Sequence, residues 1–139
     1  MDQVVFSVKN DLSQLSLIVE KLEEISNYWN LGDDVLFNIN LAIEEIFTNI
    51  VFYAYDDKEE HEIVFRISRQ NNRVIIDVED DGKEFNPLDN PEPEHIDKPL
   101  EEREIGGLGI HFVKTIMNDV RYKRDGNKNI LTLTIKTNN

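Results

Sequence analysis

The chain has 139 residues, of which 40% are hydrophobic, and this composition is typical of a single globular domain spanning residues 1–139. Its formal net charge of −13 disfavours nucleic acid and anionic membranes as partners, and it is compatible either with solubility alone or with a basic protein partner. Because the chain contains no cysteine, disulfides, thiol catalysis and zinc–thiolate sites are excluded.

The chain shows no targeting or membrane signal that we recognise. No apolar run approaches the roughly 18–20 residues that span a bilayer. The first residues lack both a basic region and a long apolar stretch, so they do not resemble a signal peptide. We therefore expect a cytoplasmic protein with no membrane partner.

The N-terminal third predicts one strand and one helix. Apolar residues alternate with polar ones over residues 4–8, which is typical of a strand. From about Leu12 to Trp29 the apolar spacing is that of an amphipathic helix, and Asn10 or Asp11 is placed to cap its start. Gly32 ends this pattern.

A second helix is predicted from a cap at Asp33 or Asp34 to about Tyr55. On a helical wheel Glu45 and Asn49 lie one turn apart, about 40° from each other, and form a narrow polar line between apolar neighbours. Taken alone, this pair is most simply the polar edge of an amphipathic helix. Its functional weight comes from the glycine segments that follow.

A hairpin and a long loop come next. Apolar residues alternate over 63–67 and again over 74–78, with a turn at Asn71-Asn72. Residues 84 to 104 contain all four prolines and many acidic residues. A loop of this length is typical of either a functional lid or a disordered segment, and we favour a mobile lid because glycine clusters flank it.

The C-terminal third predicts one more helix and two strands. Apolar residues from Ile110 to Val120 have helical spacing, and a strand begins at Val120. Asp125-Gly126-Asn127 forms a turn, and alternation over residues 131–135 gives the last strand. This order fits helices grouped on one face of a largely antiparallel sheet.

Two glycine segments suggest a nucleotide pocket. Asp80 ends a strand and can accept a hydrogen bond from an amino group, while Gly82 leaves room for a flat ring, although Asp-Gly turns are frequent. The segment Gly106–Gly109 leads directly into a helix, so its amides can form a phosphate cradle; a simple hinge is the alternative.

Taken in order, three segments resemble the N, G1 and G2 boxes of the GHKL ATPase superfamily: Glu45-x-x-x-Asn49, Asp80-x-Gly82-x-x-Phe85 and Gly106-Gly107-Leu108-Gly109. More narrowly, the chain is similar to the small serine kinases that act as bacterial anti-sigma factors. The resemblance implies an α/β (α+β) two-layer sandwich of the Bergerat, or histidine-kinase-like, ATPase fold. Its mixed, largely antiparallel sheet of about five strands would be covered on one face by three helices.

The resemblance also implies ATP and Mg²⁺ bound under a lid of about residues 84–105. Asn49 would be the Mg²⁺ ligand, Asp80 would bind the adenine amino group, and Gly82 would shape the adenine pocket. Glu45 would be the general base for an incoming serine hydroxyl. The second glycine cluster would place backbone amides near the phosphates: Gly106, Gly107, Leu108 and Gly109.

Four further positions are judged against the family pattern. Tyr53 stands where some relatives have His, so that a ring is kept. Phe85 closes the Asp80 segment. Some relatives have Arg immediately before the second cluster, and here Arg103 lies nearby as a candidate for the phosphates. Asn129 stands where Thr is common.

The resemblance implies an ATP-dependent protein-serine kinase that sequesters a sigma factor and phosphorylates an anti-anti-sigma partner, and that forms a homodimer. Two alternatives stay open. One is a non-catalytic switch in which the bound nucleotide controls protein binding. The other is a kinase of the same fold whose partner is not a sigma factor. Glu45 favours catalysis over the switch.

Overall fold

The structure, a computed structural model, describes residues 2–89 and 109–137. Within them the chain forms five strands and three helices. The strands are β1 (Gln3–Lys9), β2 (Glu62–Gln70), β3 (Arg73–Asp80), β4 (Asp119–Asp125) and β5 (Lys128–Lys136). The helices are α1 (Leu15–Trp29), α2 (Asp33–Tyr53) and α3 (Gly109–Ile116). Short 3-10 turns occupy Leu12–Gln14 and Pro87–Asp89.

The sheet has the order β1-β2-β3-β5-β4, and every neighbouring pair is antiparallel. β3 and β5 are adjacent at its centre although α3 and β4 separate them in sequence. Their register pairs Asp80 with Asn129. The three inner strands bury alternate residues, and the buried set forms one core with the helices: Ile63, Phe65 and Ile67 of β2, Val74, Ile76 and Val78 of β3, and Leu131, Leu133 and Ile135 of β5.

The predicted fold class is confirmed: a five-stranded antiparallel sheet carries its helices on one face, in an α+β sandwich. Alternation of apolar and polar residues is a strong signal for such a strand, because one face of the strand contacts the helices and the other face does not. The opposite face of the sheet is partly open. There Glu79 is buried and bonded to Arg66 and Lys128, at 3.0 and 3.1 Å.

Two helix starts differ from the prediction. Asp11 caps a short 3-10 turn by accepting from the Ser13 amide at 2.9 Å, and the α-helix begins only at Leu15. The N-cap of α2 is Gly32, and Asp33 and Asp34 lie in its first turn, where the helix dipole favours them. The prediction that an aspartate caps α2 was therefore wrong, whereas the helix ends at Tyr53, close to the predicted end at about Tyr55.

The third helix is shorter than its apolar spacing predicts. α3 ends at Ile116, and Val120 belongs to β4. Met117 and Val120 are apolar because both contact the core, one just after the helix and one from the strand. A helical period and a strand period overlap here, and spacing alone does not separate them.

Helix α2 is the central element of the helical layer. With 21 residues and a mean hydropathy of 1.4, it is long and apolar enough to span a membrane, contrary to our reading of the sequence. Its apolar side instead contacts the core, where Ala42, Ile43, Ile46 and Phe47 are almost fully buried. The polar line that carries Glu45 and Asn49 runs beside this buried face.

Candidate functional site

A cleft opens between the C-terminal half of α2, the end of β3 and the start of α3. Most of the lining is apolar, with a few polar groups: Ile46, Asn49, Ile50, Tyr53, Ala54, Val78, Asp80, Lys83, Phe85, Pro87, Ile110, Asn129 and Leu131. A flat apolar ring with a few polar substituents fits such a lining.

Asp80 is the buried carboxylate of the cleft, with 6% of its surface exposed. Its Oδ1 accepts from the Gly82 amide at 2.9 Å and from Asn129 Nδ2 at 3.0 Å. Burial raises the pKa of Asp80, and these two hydrogen bonds oppose the rise. With Oδ1 occupied, Oδ2 keeps its capacity to accept a hydrogen bond from a ligand in the cleft.

Asn129 is a polar residue whose role the sequence did not reveal. It is buried, and its Nδ2 donates to Asp80 and to the Lys83 carbonyl at 2.8 Å. Its Oδ1 accepts from the Phe85 amide at 3.3 Å and from the Tyr122 hydroxyl. Asn129 therefore ties the end of β3 to the segment that follows it.

The α2 wall of the cleft carries Asn49. Its Oδ1 is sealed from solvent and has no hydrogen-bond partner within residues 2–89 and 109–137. A buried amide oxygen without a partner costs free energy, on the order of 1–3 kcal/mol. Such an orphan oxygen is a hard donor suited to Mg²⁺, so the residue fits the metal that the family resemblance implies.

Glu45 lies one turn before Asn49 and faces the first residue of α3. A Cβ placed on Gly109 would lie within 1.9 Å of Glu45 Oε2, so only glycine lets α3 approach the carboxylate this closely. Burial, and to a lesser degree the charge of Glu44, raises the pKa of Glu45. The structure thus brings a half-buried carboxylate to the N-terminus of a helix, where backbone amides lack helical partners.

Gly82 has a packing role that the sequence did not reveal. A Cβ at this position would lie 2.5 Å from the Ala54 carbonyl oxygen and 2.6 Å from the Ala54 Cβ. Next to it, the Lys83 amide donates to that same carbonyl at 2.9 Å. The glycine is required for the close approach of this turn to the end of α2, and Gly82 is not among the residues that line the cleft.

The aromatic candidates Tyr53 and Phe85 both line the cleft, and each is 44% exposed. Arg103, Gly106, Gly107 and Leu108 lie outside the described residues, as does most of the predicted lid. The structure therefore brings together Asn49, Tyr53, Asp80 and Phe85 in the lining of one cleft. Glu45 and Gly109 lie against each other next to the lining residues Ile46 and Ile110, and Gly82 packs on Ala54; none of these three lines the cleft itself.

A second polar cluster lies behind Asp80. The Tyr55 hydroxyl donates to Asp81 Oδ1 at 3.0 Å, and its ring stacks on His61 with centroids 4.0 Å apart. His61 lies between Asp57 and Asp81, at 2.8 and 3.3 Å. The hydrogen bond to Asp57 raises the pKa of His61, while burial raises that of Tyr55. These contacts link the segment between α2 and β2 to the turn that follows β3.

Comparisons with known proteins point to the family of this fold. The family model described as the histidine kinase-like ATPase domain matches residues 8–135. The chain is 28% identical over 134 residues to the serine-protein kinase RsbW of Bacillus cereus (strain AH820), covering 94% of this chain and 82% of that protein. The serine-protein kinase RsbW of Bacillus thuringiensis (strain Al Hakam) is 29% identical with the same coverage.

Solved structures show the same fold. A structure of the RsbU and RsbW domains of a Mycobacterium tuberculosis protein has a TM-score of 0.68 at 16% identity; the match covers 99% of this chain and 32% of that one. The histidine kinase domain of a blue-light-activated kinase from Erythrobacter litoralis EL346 has a TM-score of 0.54 at 19% identity, covering 90% of this chain and 60% of that one. At these identities the likeness concerns the fold.

Two described glycines beside the cleft, Gly82 and Gly109, predict costs of different size for the same substitution. Gly82→Ala drives a Cβ into backbone atoms of Ala54, so we expect the free energy of unfolding to fall by about 1–3 kcal/mol. Gly109→Ala meets only the flexible end of Glu45, so we expect a loss below about 1 kcal/mol, because alanine also favours the helix. Urea unfolding of both variants tests this contrast, and equal losses would contradict it.

Because Asp80 is buried, we expect its contribution to the free energy of unfolding to depend on pH. Because burial raises its pKa above the unfolded value of 3.8, the native state holds this proton more tightly than the unfolded state does. The contribution of Asp80 to the free energy of unfolding therefore falls as pH rises from the unfolded pKa through the native pKa, and it stays low at higher pH. We expect Asp80→Asn to be more stable than the parent at about pH 7, with the gain vanishing below the unfolded pKa.

Urea unfolding of Asp80→Asn across this pH range is the measurement. Asp77→Asn, on the same strand but the opposite face, is the control for removing one charge from an acidic chain. A gain in Asp80→Asn no larger than that of the control at any pH would show that the buried carboxylate carries no such cost.

Proposed function

The chain belongs to the histidine kinase-like ATPase family, and on that premise we propose that it binds ATP with Mg²⁺ and transfers the γ-phosphoryl group to a serine of a protein partner. One observation carries the proposal. Asn49 lines a cleft that also holds the buried Asp80, and Glu45, one turn before Asn49 on α2, lies against Gly109 at the start of α3. A nucleoside triphosphate has its base and its reacting phosphate at separate ends, and we assign Asp80 to the base and Glu45 and Asn49 to the phosphates.

Asp80 is the proposed base-recognition residue. An ionised carboxylate accepts hydrogen bonds and donates none, so its Oδ2 matches the exocyclic amino group of adenine. The cleft walls beside it are apolar, with Ile46, Val78 and Leu131 among them, and offer contact to the faces of a purine ring. Tyr53 and Phe85 are proposed to cover the exposed side of the nucleotide.

Asn49 is the proposed metal ligand through its orphan Oδ1. Mg²⁺, when bound, neutralises charge on the phosphate oxygens during phosphoryl transfer. Gly109 begins α3, whose first backbone amides are available to phosphate oxygens. Arg103, Gly106, Gly107 and Leu108 precede this helix directly and remain proposed phosphate contacts, as residues 84–105 remain the proposed lid of a single domain.

Glu45 is the proposed general base that takes the proton of the serine hydroxyl. A carboxylate with a raised pKa is a better proton acceptor than an ordinary one. On this proposal, its position beside the first residue of α3 is near the phosphates. Gly109 therefore has two functions, because it opens the helix and leaves room for the base.

The proposed partners follow the kinases that this chain resembles. We propose an anti-anti-sigma-like protein as phosphoacceptor, a sigma factor as the sequestered partner, a homodimer as the functional form and a cytoplasmic location. The support is the similarity to proteins named serine-protein kinase RsbW. The net charge of −13 agrees with protein partners rather than nucleic acid.

The test is transfer of label from γ-labelled ATP, with Mg²⁺, to the anti-anti-sigma-like protein of the same organism. We expect serine phosphate with the parent and a loss of about 10²-fold or more in Glu45→Gln, because general bases contribute about that much. Nucleotide affinity measured by calorimetry should stay close to that of the parent.

Glu44→Gln is the matched control, since Glu44 is the neighbouring acid on α2 and points to solvent. It should transfer phosphate at close to the parent rate. Transfer by Glu45→Gln as fast as by the parent would remove Glu45 from the mechanism. Tight nucleotide binding without transfer to any partner would favour the non-catalytic switch.

A further inference from the structure

Three residues in one row cross the sheet edge beside the cleft. The register pairs Arg124 of β4 with Asn129 of β5, and Asn129 with Asp80 of β3. The turn between β4 and β5 is tight, with Gly126 at φ 61°, where glycine is favoured. A cation, an amide and a carboxylate therefore lie side by side on three neighbouring strands.

Arg124 binds both the Asn129 side chain and the turn that follows β3. Its Nη1 donates to Asn129 Oδ1 at 3.1 Å and to the Gly82 carbonyl at 2.9 Å, while its Nε donates to the Gly126 carbonyl at 3.1 Å. The planar guanidinium can satisfy these acceptors together because its donors have a fixed geometry. The half-buried cation thus joins the β4–β5 turn to the turn that follows β3.

Every hydrogen-bonding group of the Asn129 side chain has a partner. Its Nδ2 donates to Asp80 and to the Lys83 carbonyl, and its Oδ1 accepts from the Phe85 amide, Tyr122 and Arg124. With both Nδ2 hydrogens used and Oδ1 bound by donors, the amide has one orientation. The Asp80 carboxylate, held at Oδ1, therefore has one orientation as well.

We propose that Arg124 and Asn129 form a positioning clamp, built into the β4–β5 hairpin, that makes the cleft selective for 6-aminopurines over 6-oxopurines. The inference rests on the proposed nucleotide site and names the residues that set its base selectivity. The clamp aims Asp80 Oδ2 at the base and anchors the backbone at residues 82, 83 and 85, so the acceptor and the Phe85 wall are set together.

The electrostatics point in the same direction. A buried carboxylate without support tends to take up a proton, and a protonated Asp80 could donate to the oxygen of a 6-oxopurine. The Asn129 hydrogen bond and the charge of Arg124 both oppose this protonation. The clamp therefore keeps Asp80 an acceptor, which matches the amino group of adenine and repels the carbonyl of hypoxanthine.

The test compares the affinities for ADP and IDP, two ligands that differ at the 6-position, by calorimetry at about pH 7. We expect the parent to prefer ADP. Arg124→Gln and Asn129→Asp should weaken ADP binding by about tenfold or more, with much less effect on IDP, so the preference falls. In Asn129→Asp two adjacent carboxylates share a proton, so IDP should gain relative to ADP as pH falls.

Thr132→Val is the matched control. Thr132 donates to Asp77 at 2.6 Å across the same β3–β5 pair, but on the opposite face of the sheet. It loses a comparable interstrand hydrogen bond, and the ADP-to-IDP preference should stay as in the parent. Circular dichroism melts show which variants fold, and Arg124→Gln serves if Asn129→Asp does not.

The outcomes separate the clamp from the proposed function. An unchanged preference in both folded clamp variants would overturn the clamp while leaving nucleotide binding in place. If the parent binds neither nucleotide, the proposed function fails, and the clamp is then tested by NMR titration of Asp80. There Asn129→Ala should raise the pKa of Asp80 above that of the parent, and an unchanged pKa would overturn the clamp too.

Discussion

The close approach of Gly109 to the Glu45 carboxylate is the contact on which the candidate site depends. It is possible only without a Cβ, since that atom would lie 1.9 Å from Glu45 Oε2. The approach sets the start of α3 beside the polar line of α2, where Glu45 is half-buried and its pKa is raised by burial. Asn49, one turn further along α2, lines the cleft, and its Oδ1 is closed to solvent.

The cleft also depends on a buried charge. Placing Asp80 in an apolar wall costs free energy, and the fold offsets that cost with the Gly82 amide, Asn129 and the nearby Arg124. An amide at position 80 would be less costly to bury. A carboxylate here is better explained by binding than by stability, and the same tension is common where functional residues are buried.

Much of this arrangement could be predicted from the sequence. Strand alternation gave the sheet, and the helical wheel placed Glu45 and Asn49 on one line, because both depend on local periods. Helix starts were less accurate: Asp33 is in the first turn of α2 and not at the cap, and a 3-10 turn precedes α1, which begins at Leu15. The predicted start of a strand at Val120 agrees with β4.

What the sequence could not show depends on long-range register. Arg124 and Asn129 reach Asp80 because β5 lies between β3 and β4 and pairs with both, which no local pattern reveals. The sequence also did not show that the missing Cβ of Gly82 makes room for Ala54. That signal exists only once the end of α2 is placed against the turn. An Asp-Gly pair in sequence is the same for both roles.

A crystal structure with Mg²⁺ and a non-hydrolysable ATP analogue is the most direct measurement. We expect Asn49 Oδ1 within about 2.1 Å of the metal ion, the Glu45 carboxylate facing the γ-phosphate, and Asp80 bonded to the adenine amino group. A nucleotide bound elsewhere, or bound in the cleft with Asn49 turned away from the ion and Glu45 away from the γ-phosphate, would contradict a catalytic site at this end of α2.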